Sequence, residues 1–253
     1  MNPGRRALQR RAAAPLLAML LVLTGCAAPP GLAPGPSPLD PRTVLPTTAR
    51  AVAPAQVEAA LDLAWRRLQG RALAADAAGR ARIAGVARRL AGAAPSSEPA
   101  WREAEPVVLI VPGDEPDAWC LAPLRCALTL GMSELLGGDD ALLAAALAHE
   151  MAHLMLDQAR ERLAQAGAPD PAAGATLLLE SAHHRVHEHE VFGLAAELMA
   201  RAGYDPRASV GFFAALAPAP GVAPVGYLRR HPLEPQWPDV LLRHARRVLP
   251  LLP

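Results

Sequence analysis

Apolar residues recur at three- and four-residue spacing, with arginines between them, in "QVEAALDLAWRRLQ" and "AGRARIAGVARRLAG". That period predicts two helices between about residues 55 and 92. The pattern shortens at "PVVLIVPG", residues 106–113, to a β-branched run closed by Pro-Gly, which predicts a strand. "AWCLAP" and "RCALTLG" follow as a hairpin. A long helix is expected from Asp139 or Asp140, either of which can cap its first turn, to about Ala166. Another runs from about Ala172 to Ala202 and stops at Gly203, a residue suited to the position after a helix end. "RASVGFFAALA" predicts a shorter helix, and "HPLEPQWPDVLLRHARRVL" contains a final one. The chain shows no internal repeat. These elements define an α+β fold, mostly α, with a small sheet or hairpin edge.

Composition agrees with this. The chain has 253 residues, 52% hydrophobic but only 4% aromatic, a balance dominated by alanine and leucine that favours helices. A formal net charge of +1 gives no electrostatic case for a nucleic-acid partner. The length suits one domain, residues 55–253, once an N-terminal targeting segment is set aside.

That segment, "MNPGRRALQRRAAAPLLAMLLVLTGC", has a basic start, an apolar run too short to span a bilayer as a mature helix, and small residues before Cys26. Leu23-Thr24-Gly25-Cys26 resembles the bacterial lipobox. The resemblance implies a signal peptide over residues 1–25, lipidation of Cys26 and membrane attachment on the periplasmic side of the cell envelope. No aspartate follows Cys26, which implies the outer membrane. Residues 26–54, rich in proline with glycine, alanine and serine, read as an extended tether. Cys120 and Cys126 would then share an oxidising compartment, where either a hairpin-closing disulfide or two free thiols fit the spacing.

The chemistry concentrates in two places. His149 and His153 in "AHEMAHL" stand one helical turn apart, so both imidazoles can reach one metal ion, with Glu150 beside them as general base and acid. A third ligand is needed, and the metzincin extension is absent, since Leu156 and Ala159 stand where glycine and histidine would be required. The other place is "ESAHHRVHEHEVFGLAAELMARAGYDP". At 100° per residue, Glu188 shares the apolar side of this helix with Val191, Phe192, Ala195 and Met199. Glu190 and Glu197 fall opposite, with Arg201 as an exposed partner for Glu197. A carboxylate on a buried face needs compensation, which favours Glu188 as ligand. Glu180 and His184 are rivals near the same face, whereas His183, His187 and His189 read as solvated or flanking residues.

"DAWCLAPLRCALTLGMSELLGGDDALLAAALAHEMAHL", then "EHEVFGLAAELMARAGYDPRASVGFFAAL", then "HP" together resemble the peptidase M-48 family of zinc metallopeptidases over about residues 80–250. The resemblance implies a zincin-like domain, one zinc ion held by His149, His153 and Glu188, and hydrolysis of envelope proteins or peptides. It also draws in His231, the recurrent His-Pro histidine, to approach the metal or stabilise an oxyanion. Two positions depart from the family. Phe192 stands where an aspartate supports the metal site, and Gln158 replaces a histidine that is not a ligand. Asp157, one turn after His153, is expected as the substitute supporting carboxylate.

Overall fold

The computed structural model describes residues 52–74, 77–94, 99–121, 124–167, 169–219 and 221–253. The leader, Cys26 and the tether up to residue 51 lie outside the described residues. Helix α1 (Pro54–Gln69) starts on a proline, whose missing N–H costs nothing in a first turn. It buries Val57, Ala60, Leu61, Ala64, Trp65 and Leu68, the apolar stripe that its period predicts. Helix α2 (Ala77–Gly92) does the same with Ile83, Val86, Ala87, Leu90 and Ala91. A short helix α3 (Pro99–Glu103) follows.

Strands β1 (Val107–Val111), β2 (Ala118–Leu121) and β3 (Arg125–Thr129) form one sheet in the order β1-β3-β2. β1 runs parallel to the central β3, and β2 antiparallel. Side chains alternate across the sheet. Val108, Ile110, Cys120, Cys126 and Leu128 enter the main core, while Val111, Leu121 and Ala127 enter a second cluster with α1. The register sets Cys120 directly opposite Cys126, with Cα atoms 4.1 Å apart, and the two form a disulfide. The sequence spacing had left this pairing open.

Helix α4 (Leu130–Leu136) is capped by Thr129, whose hydroxyl oxygen accepts from Met132 N–H. Gly131 in its first turn lies against the 113–117 loop, where an added Cβ would stand 2.0 Å from the Asp114 carbonyl oxygen. Backbone cannot step aside as a flexible side chain can, so Gly131→Ala is expected to cost at least 1–3 kcal/mol, roughly, in urea denaturation. An unchanged midpoint would contradict that packing.

The long helices predicted beyond residue 139 are each broken in two. α5 (Asp140–Met155) is capped by Asp139, whose carboxylate accepts from Ala141 and Leu142 N–H. It ends where Asp157 adopts φ 52°, a left-handed conformation that aspartate tolerates better than most residues. α6 (Gln158–Gln165) then follows as a separate helix. The second break, at residues 181–184, separates α7 (Pro171–Glu180) from α8 (Arg185–Arg201). α9 (Ala208–Leu216), α10 (Gly226–Arg230) and α11 (Trp237–Val248) complete the fold. α5 packs against α8, α9 and β2, which brings the two halves of the predicted site together. The expected mostly helical α+β class is the observed one. No described helix is long and apolar enough to cross a membrane.

Candidate metal centre

His149, Glu150 and His153 are all buried on the inner face of α5, and Glu188 is buried on the first turn of α8. His231, which follows α10, is fully buried among them. His149 Nε2, His153 Nε2 and His231 Nδ1 stand at the corners of a triangle with every side 3.1 Å. A Glu188 oxygen lies 3.1 Å from His149 Nε2, and the other lies 3.3 Å from His231 Nδ1 and 3.8 Å from His153 Nε2. Three ring nitrogens at one point cannot satisfy one another, because each N–H can be directed at only one neighbour. Donors arranged tetrahedrally around an ion at ~2.0–2.1 Å would be separated by about 3.3 Å. These spacings fit that figure, so the cluster could hold one metal ion.

The electrostatics agree with an ionised Glu188. Burial alone would raise its carboxyl, but His231, His149 and His153 outweigh burial and hold it well below the usual carboxylate range. Burial likewise pushes His153 down to about 3, despite Glu188, leaving a neutral imidazole with a lone pair to offer.

The support around the ligands differs from the expectation. His153 Nδ1 donates to Gln158 Oε1 at 2.6 Å. This fixes the tautomer that presents Nε2 to the cluster. Asp157 does not take this part, because the left-handed turn sends its carboxylate to Arg160, 2.7 Å away. On an unbroken helix residue 158 would be rotated well off the His153 face; the break is what returns Gln158 to it. Gln158→Leu is therefore expected to weaken metal binding about 10–100-fold, read by competition with a chelator. Equal affinity would show that the hydrogen bond does not orient the ring. His149 has no such support: its Nδ1 lacks a hydrogen-bond partner, and the Phe192 ring lies with its centroid 5.6 Å away.

Glu150 lies outside the ligand group. Its Oε1 is 3.1 Å from His231 Nε2. Burial would raise its carboxyl, but the charge of His231, with Arg230 and His153, outweighs this and lowers it to about 2. Tyr227, also fully buried, stacks on the His231 ring at 4.3 Å between centroids. His231 thus lies between the Glu150 and Glu188 carboxylates, where its Nδ1 could serve as a fourth donor to an ion.

The histidine-rich stretch resolves unevenly. Glu180, His184 and Glu190 are exposed, which removes Glu180 and His184 as ligand rivals. His187 pairs with Glu161 and exposed His189 lies 3.7 Å from Glu234. Glu197 pairs with Arg201 as expected, yet is itself buried. His183, read as solvated or flanking, is buried, its ring tilted against His153 at 3.8 Å between centroids and stacked on His231 at 4.7 Å. The break at 181–184 permits this, and His183 N–H is anchored to the Arg230 carbonyl at 2.7 Å.

A small pocket, partly open to solvent, reaches this cluster. Glu150, His153 and His183 line one part, Arg162 and Arg230 another, and Trp119, Cys120 and Leu121 of β2 form a wall. Sequence reading missed Arg162, Arg230 and Tyr227. Arg230 stands beside His231 in "RRHP", but nothing local marks the other two. Compared with models of known protein families and with curated proteins, the chain matches none.

Proposed function

We propose that this chain is a zinc-dependent endopeptidase of the bacterial envelope, with a zincin-like domain of the peptidase M-48 type carried on a lipid anchor at Cys26. One observation carries the proposal: Glu150 is a buried carboxylate outside the candidate ligand group, yet it lines a pocket together with His153 of that group. A cluster built only to hold metal has no use for it. Nitrogen and carboxylate donors at tetrahedral spacing suit zinc. Bound zinc would supply Lewis acidity, acidifying water and polarising a peptide carbonyl. Glu150 would accept a proton and later return it to the leaving amine, and its low proton affinity keeps it in the basic form.

The β2 edge supports a peptide substrate. Thr129 N–H donates to the Asp117 carbonyl, and alternation in an antiparallel ladder then turns Ala118 and Cys120 outward. Ala118 N–H is taken by the Asp117 carboxylate, and its carbonyl accepts from Arg230. Cys120 lines the pocket with Glu150, where an extended chain would add as a strand.

A second reading is favoured by His231. Four protein donors make a closed set of the kind that structural metal sites use. On that reading the chain is a metal-stabilised lipoprotein that binds envelope proteins without cutting them. Bound metal and cleavage of an unfolded protein, compared between wild type and Glu150→Gln, separate the two. Cleavage by wild type alone supports the peptidase; metal with no cleavage by either supports the binding protein.

A further inference from the structure

Arg162 is a buried cation without a counter-ion. Its guanidinium holds the far end of α7 in place, Nη2 donating to the Leu177 carbonyl at 2.7 Å and to the Ser181 carbonyl at 2.8 Å. Nη1 lies 3.4 Å from His183 Nε2. Among the described residues no carboxylate forms an ion pair with it. Burial lowers it to about 10, helped by the nearby charge of Arg230, so it remains a cation at neutral pH. A buried charge is costly unless a partner compensates it.

Arg230, on the same pocket wall, is already balanced. Its Nε and Nη2 bond the Asp117 carboxylate, and it lies over the Trp119 ring at 4.8 Å. In a metal-loaded centre, Glu150 and Glu188 together match the charge of one divalent ion. Arg162 is then the positive charge left over. It also lies within one ring of the candidate metal ligands, since His183 touches it on one side and lies tilted against His153 on the other.

We infer that Arg162 receives a carboxylate of the substrate, held in the pocket between β2 and α6 next to the bond that is cut. The inference rests on the peptidase reading for its substrate, but the pocket can be tested by binding alone. Two sources offer this chemistry: an aspartate or glutamate side chain, or the free C-terminus of a peptide. Leu61, Leu121, Leu154 and Leu178, which also line the pocket, would cover the aliphatic part of the same residue.

The test uses the full zinc-loaded Glu150→Gln chain and one peptide sequence in four forms, with Glu or Gln at one position and a C-terminal carboxylate or amide. Calorimetry is expected to show at least about tenfold tighter binding of one carboxylate form over its neutral match, the range of a charge-assisted hydrogen bond from Arg162 Nη1, since both Nη2 hydrogens are held by Leu177 and Ser181. Whether the Glu/Gln pair or the acid/amide pair discriminates identifies the source. Adding Arg162→Gln is expected to bring the ratio to within about twofold, with Arg162→Lys between, because lysine keeps the charge but not the planar guanidinium that holds the Leu177 and Ser181 carbonyls while presenting Nη1. The ratio within one protein does not depend on how much of a variant folds. Equal binding of all four forms, absence of binding, or a ratio that survives Arg162→Gln overturns the inference. If binding discriminates while wild type cuts no peptide, the carboxylate site stands and the peptidase reading falls.

Discussion

The Glu150→Gln chain is expected to retain one zinc ion and to cut an unfolded protein about 10²–10⁴-fold more slowly than wild type, the range for loss of a positioned general base. Glutamine has the shape of glutamate and is not asked to hold the metal, so zinc content should stay at the wild-type value. The fall should appear in kcat with little change in KM, because Glu150 handles a proton and does not anchor the substrate. A second consequence concerns His231, whose protonated form Glu150 and Glu188 stabilise against the opposing effect of burial. Removing one carboxylate lowers the imidazole's proton affinity, which favours the neutral ring that a metal needs. Zinc affinity in the variant should therefore be equal or slightly higher. Full metal content with wild-type cleavage would sink the catalytic part assigned to Glu150, and loss of zinc would show that it is a ligand after all.

The parts of this centre that could be read in the sequence are those fixed by a single helix. His149 and His153 are one turn apart on α5, and Glu188 falls on the apolar face of α8, because the 3.6-residue period alone settles which side chains share a side. The same period misled wherever a helix was continued too far. Asp157 seemed to lie under His153 only because α5 was extended through it, and the left-handed turn there hands the position to Gln158. His183 reads as solvated or flanking on a continuous helix, whereas the break at 181–184 folds it against His153 and His231. The disulfide is intermediate: a six-residue separation allows it, but the β2–β3 register decides it. His231 enters the sequence reading only through the His-Pro resemblance, and Arg162 not at all, since both are long-range neighbours that only packing brings in. Phe192 was visible as a departure, and the structure gives it a meaning: His149 Nδ1 is left without a partner.

Removing the metal is expected to lower thermal stability about as much as a severe large-to-small core substitution on the same helices. At zinc a thousandfold above its dissociation constant, binding contributes about 4 kcal/mol. For a chain of this size that is a fall in Tm of roughly 8–16 °C on adding chelator. The physical reason lies in what remains. Without an ion, three imidazole nitrogens crowd within 3.1 Å of one another beside a carboxylate that is 2% exposed, so a buried charge is left to be neutralised by protonating a buried ring. Glu188 is the one anionic donor of the four, so Glu188→Gln should reproduce the effect of the chelator by removing the charge that balances the ion. In that variant the Tm should no longer respond to either zinc or chelator, because both act through the same equilibrium. Scanning calorimetry of wild type and variant, each with zinc and with chelator, reads all four values. A wild-type Tm that ignores the chelator would remove the metal from the account of this cluster. A Glu188→Gln chain that still gains several degrees from zinc would instead assign the ion to the three histidines alone.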